Sequence, residues 1–139
     1  MDRQSLHAFL SQYRYGVVSS IGPDGPPQSA LVGIAVTAQL EVVFDTMSSS
    51  RKYANLTTRP RCSLVIGWPG EKTVQLEGTA ALPEGEELIG YREAYFVAWP
   101  DGRDRLNWPG LVHFVVRPRW IRYSDFDRNP PIIVERTDW

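Results

Sequence analysis

Four hydroxyl side chains and two adjacent cations fall within one short run: Thr46, Ser48, Ser49, Ser50, Arg51 and Lys52. Upstream, Glu41 to Asp45 is an apolar stretch with strand character. Downstream, Tyr53, Ala54 and Leu56 predict a short helix. Hydroxyls and paired cations at a strand-to-helix junction suit a phosphate group. A helix start adds free N–H groups and a partial positive charge. An arginine grips phosphate through two parallel bonds, and a lysine adds a point charge. A plainer reading also fits: Ser50 as a helix N-cap, with Arg51 and Lys52 solvated.

The rest of the composition narrows the chemistry. A chain of 139 residues reads as one domain able to bury a modest core. Its 15 basic and 16 acidic residues give a net charge of -1. That balance argues against a nucleic-acid surface or a polybasic membrane anchor. A single cysteine, Cys62, excludes a disulfide framework and a cysteine-rich zinc site. His7 and His113 are too few and too far apart to suggest a metal. No apolar run is long enough for a signal peptide or a membrane span, so a cytoplasmic location is expected. The Asn55-Leu56-Thr57 sequon is then idle.

The elements that must hold the polar run are mostly strands. Leu6, Phe9, Leu10 and Tyr13 predict a helix over Asp2 to Tyr13. Tyr15 to Ile21 and Gln28 to Thr37 form a hairpin about Gly22-Pro23-Asp24-Gly25-Pro26. A third strand covers Glu41 to Asp45, and a helix follows from Ser50 to Thr58, limited by Pro60. Cys62 to Trp68 and Lys72 to Leu82 pair about Pro69-Gly70. A second long helix opens at Pro83 and Glu84, where Glu84, Glu86 and Glu87 complement its dipole. Leu111 to Phe126 is a long strand expected to bulge near Pro118. The tail from Asp127 to Trp139 stays unassigned. About six strands with two or three helices predict a mainly β fold, a six-stranded antiparallel barrel with helical caps.

This series resembles the pyridoxamine 5′-phosphate oxidase-like family, the FMN-binding split barrels. The residues that carry the resemblance are Phe44, Thr46, Ser50, Arg51 and Lys52, then the strand ending in Trp68, then Lys72 to Gly78. It covers roughly residues 5 to 126. It implies that Thr46, Ser50, Arg51 and Lys52 hold the FMN phosphate. It also implies that Thr73 stands where the family has a flavin-contacting glutamine. A homodimer with FMN between the barrels is implied too, with partner residues completing each site.

Three cations of the true oxidases have no counterpart here. The early second strand reads Gln28-Ser29-Ala30-Leu31, Trp99 stands where a substrate-phosphate arginine would be, and no histidine follows His113. A dianionic substrate needs paired charge once desolvated. The expectation is therefore an FMN-dependent oxidoreductase passing hydride through flavin N5 to or from a small molecule other than pyridoxamine phosphate. A flavin-binding protein without turnover is one alternative. A deazaflavin-dependent reductase is another, kept open by Arg103, Arg105, Arg117 and Arg119.

Other residues have plain structural readings beside functional ones. Trp68, Trp99 and Trp108 could line an aromatic pocket, but each alone fits a core or interface role better. His113 reads as a hydrogen-bonded structural histidine and Cys62 as a small buried side chain. Glu77, Arg117 and Arg119 read as surface strand positions.

Overall fold

The computed structural model describes residues 1–139. A first helix, α1 (Arg3–Leu10), precedes β1 (Tyr15–Ile21), β2 (Pro27–Gly33), β3 (Ala35–Val36) and β4 (Val42–Met47). Then come α2 (Arg51–Thr58), β5 (Arg61–Ile66), β6 (Lys72–Ala81), α3 (Gly85–Ala98), β7 (Leu111–Asp125) and β8 (Ile132–Arg136). Short 3₁₀ turns cover Pro69–Glu71 and Pro100–Arg105.

All strands belong to one antiparallel sheet ordered β2-β1-β5-β6-β7-β4-β3, with β8 on β7. The two ends of that order, β2 and β3, are separated in the chain only by Ile34. The sheet must therefore curl back toward its own start, as the split barrel requires. Eight strands stand where six were expected, for two reasons. Ile34 leaves the ladder because its N–H donates to the Arg14 carbonyl (2.8 Å) and its carbonyl accepts from the Trp99 indole (3.0 Å). That splits the expected strand Gln28 to Thr37. The tail then contributes β8, an edge strand whose pairing partner is distant in sequence.

Core positions follow the strand period. On β6, Val74, Leu76 and Ala80 are buried, with Gln75 and Glu77 exposed between them. β4 breaks the alternation because both of its faces are covered. Val42 and Phe44 join the main core, while Val43 joins a second cluster with Tyr95 and Phe96 of α3. Helix α1 is shorter than expected. Asp2 caps it by accepting from the Ser5 N–H at 2.8 Å, and Leu6 and Leu10 enter the main core.

The expected bulge is present. Glu77 pairs with Trp120 and Gly78 with Pro118, so Arg119 has no partner on β6. A Cβ at Gly78 would lie 2.5 Å from the Arg117 carbonyl oxygen, which only glycine avoids.

Candidate functional site

β4 delivers Thr46 to the junction. Three fully buried neighbours, Val42, Val43 and Phe44, fix the strand behind it. The chain turns and Ser50 caps α2, its Oγ accepting from the Tyr53 N–H at 3.1 Å. Thr46 Oγ1 donates to Ser50 Oγ at 2.9 Å, and Lys52 Nζ donates to Thr46 Oγ1 at 3.3 Å. Three of the residues proposed from sequence thus form one hydrogen-bonded chain at the helix start. Ser50 Oγ thus accepts from the Tyr53 N–H as the helix cap and from the Thr46 hydroxyl at once. Arg51 is exposed and its side chain makes no hydrogen bond or ion pair within the chain.

Beside this junction lies a cavity of about 240 Å³. Arg51 and Lys52 form one side of it, and Val18, Ser20, Gln28, Ser29 and Ala30 of the first hairpin form the other. Positive charge is confined to the α2 side. The hairpin side offers only neutral hydrogen-bonding groups. Asn55, buried on α2, donates to Ser20 Oγ (3.0 Å) and Gln28 Oε1 (2.8 Å). Sequence inspection treated Asn55 only as part of a sequon. Its burial shows that the sequon is closed by packing.

Thr73 lies elsewhere in the chain. It faces Ser124 on β7, with their hydroxyl oxygens 3.4 Å apart. Thr46 faces Val112, twelve residues earlier on the same strand (124 − 112). Thr73 is not among the residues that line the cavity beside Arg51 and Lys52.

A second polar cluster sits on the opposite face of β4. His113 stands opposite Asp45 in register, buried between the rings of Tyr95 and Phe96 at 5.3 and 5.8 Å. Its Nδ1 accepts from Arg92 Nε at 3.4 Å, and its Nε2 has no partner. Burial lowers its pKa to about 4; the Asp45 charge opposes this, and Arg92 and Arg105 reinforce it. Arg105 closes on Asp45 at 3.3 Å. Burial, and then the Asp45 charge, raise the Tyr95 phenol. This cluster joins α3 to the sheet and fits the structural reading of His113. Cys62 is partly rather than fully buried and packs against the main core; desolvation pushes its thiol up to about 11 and keeps it protonated.

The tryptophans do not gather at the cavity. Trp68 and Trp108 are about half exposed. Trp99 is a structural brace. Its ring would lie 2.7 Å from a Cβ at Gly33, and the Arg14 guanidinium stacks on it at 3.9 Å. Of the arginines weighed for an acidic cofactor tail, Arg117 bridges Glu41 and Glu87, Arg105 bridges Asp45 and Asp101, and Arg103 covers Phe96.

Residues 3–125 match the profile described as pyridoxamine 5′-phosphate oxidase. A pyridoxine/pyridoxamine 5′-phosphate oxidase from a Nocardioides species is 38% identical over 105 residues, covering 74% of this chain and 47% of that protein. The chain thus spans about half the length of that relative. Among solved structures, a heme binding protein from Mycobacterium smegmatis superposes with a TM-score of 0.84 at 20% identity, over 97% of this chain and 57% of that one. A pyridoxamine 5′-phosphate oxidase-related, FMN binding protein from Nostoc punctiforme superposes with a TM-score of 0.69 at 13% identity, over 98% and 87%. With the sheet order, the junction motif and the profile in agreement, the chain belongs to the pyridoxamine 5′-phosphate oxidase-like family of split barrels.

Proposed function

We propose that this protein binds FMN and acts as an oxidoreductase on a small molecule other than pyridoxamine phosphate. The observation that carries the reading is the cradle itself. A hydroxyl chain ends on a lysine, an unpaired arginine stands beside it, and both cations border a cavity at a helix start. Those groups fit a phosphate monoester. Arg51 and Lys52 would neutralise the dianion, Thr46 and Ser50 would hydrogen-bond it, and the α2 N-terminus adds its dipole. When bound, the flavin supplies hydride transfer at N5. The chain's own task is to anchor the phosphate, orient the ring and keep water away.

One observation supports a substrate without a phosphate group. Trp99, at the position of the family's substrate-phosphate arginine, is committed to Gly33 and the Ile34 carbonyl. Arg103, Arg105 and Arg117 are committed to partners in the fold, which weakens the deazaflavin alternative, while the exposed Arg119 has no such partner and keeps it open.

The reading includes a homodimer. Thr73 lies outside the cavity that Arg51 and Lys52 line, and the family resemblance has partner residues completing each site. The outer face of the first hairpin offers a surface for that copy. Leu31, Val17 and Val65 are in register across β2, β1 and β5, with Leu31 62% and Val65 39% exposed. No helix is long and apolar enough to cross a membrane, which accords with the cytoplasmic location proposed here.

The test is a visible spectrum of the purified protein, followed by anaerobic mixing of the FMN-loaded form with NADH or NADPH. Flavin absorbance that bleaches on mixing and returns with an added acceptor supports an oxidoreductase. Bound flavin that no donor reduces favours the binder without turnover. Absence of flavin binding contradicts the reading.

A further inference from the structure

We propose that Asn55 is a positioning residue for the ligand: it holds Gln28 so that the hairpin wall grips the neutral chain beside the phosphate. The inference rests on the FMN reading above and assigns residues that the family motif does not.

Asn55 is 2% exposed, and its one amide nitrogen serves two acceptors on neighbouring strands. Those acceptors, Ser20 and Gln28, are themselves a register pair across β1 and β2. A single side chain of α2 therefore ties the helix carrying Arg51 and Lys52 to the opposite wall of the cavity. The tie also fixes the Gln28 amide. With Oε1 turned to Asn55, its Nε2 lies against Gly22, closer than any Cβ there would allow. The Gln28 acceptor is thereby occupied while its amide N–H groups stay available as donors.

The consequence is a division of labour inside one cavity. Arg51 and Lys52 put two positive charges at one side. Gln28, Ser20 and Ser29 put uncharged hydrogen-bonding groups at the other. A ligand matched to both has one anionic end and a neutral, oxygen-rich chain next to it, which is the chemistry of a phosphorylated polyol. Gln28 then contributes an uncharged contact from a stretch, Gln28 to Leu31, that holds no cation, and it does so only while Asn55 holds it.

The test compares FMN with riboflavin, which shares the polyol and lacks the phosphate. Both are titrated into wild type, Gln28→Ala, Asn55→Ala and the double variant. Each single variant should weaken both ligands by the same factor, about tenfold for one lost hydrogen-bonding group. The FMN-to-riboflavin affinity ratio should then stay at the wild-type value. The double variant should bind no more weakly than Asn55→Ala, because both changes act through one contact. Arg51→Ala/Lys52→Ala should instead collapse the ratio. Gln28 is half-buried, so its variant tests the contact even where Asn55→Ala disturbs folding. A ratio that collapses in Gln28→Ala, an unchanged affinity in Gln28→Ala, or a wild type that takes FMN but no riboflavin overturns this inference alone. A wild type that binds neither overturns it together with the FMN reading.

Discussion

Lys52 Nζ reaches the Thr46 hydroxyl at 3.3 Å while the side chain of its exposed neighbour Arg51 forms no hydrogen bond or ion pair. The lysine is held in place before any ligand arrives, and the arginine is free to close on one. Arg51→Ala should therefore leave thermal stability nearly unchanged, within about 0.5 kcal/mol for an exposed, unpartnered side chain. It should weaken FMN binding by about 10- to 100-fold, the value of a lost charge-assisted hydrogen-bond pair. Thermal melts and FMN titration separate the two effects. A large stability loss would mark Arg51 as structural.

His113 predicts an acid-sensitive stability. Its pKa is lowered to about 4 in the fold and returns to the ordinary 6.5 when the chain unfolds. Above pH 6.5 both states hold it neutral, and the neutral fold is at its most stable. As pH falls from 6.5 toward 4, the unfolded chain takes a proton that the folded one refuses. Stability is lost across that window, by about 2 kcal/mol at pH 5. Denaturant midpoints at pH 7.5 and 5 measure it. His113→Gln should flatten the difference, and an equally steep loss in that variant contradicts the assignment.

Two glycines should tolerate no side chain, for different reasons. At Gly78 the obstacle is the Arg117 carbonyl at 2.5 Å, so Gly78→Ala should cost about 1–3 kcal/mol with no local remedy. At Gly33 the obstacle is the Trp99 ring. Gly33→Ala should destabilise as well, and Trp99→Leu should recover part of the loss in the double variant. Simple additivity in that double variant would show the ring is not the obstacle.

Leu31→Glu should yield a monomer, because it places a charge on the exposed row shared with Val17 and Val65. Light scattering at micromolar concentration reads the mass, and a variant still dimeric would move the interface elsewhere.

Local features were legible from sequence. The Thr46 to Lys52 run sits at a strand-to-helix junction because its apolar strand, its serine cap and its helix are consecutive. The bulge was legible because Pro118 cannot donate to a ladder. What sequence inspection missed depends on residues far apart. The break at Ile34 requires Arg14 and Trp99, and β8 requires the end of β7. The Asn55 tie joins positions separated by 27 and 35 residues, with no local periodicity to mark it. Thr73 reads as a site residue only by motif; it lies opposite Ser124 and outside the cavity beside Arg51 and Lys52.

Titration of the apo protein with FMN, beside Arg51→Ala/Lys52→Ala, tests the cradle most directly. Wild type should bind tightly, the double variant should lose at least about 100-fold from two charged contacts, and its fold should be unchanged by circular dichroism. Equal affinity in the two proteins, or no FMN binding by wild type, would contradict it.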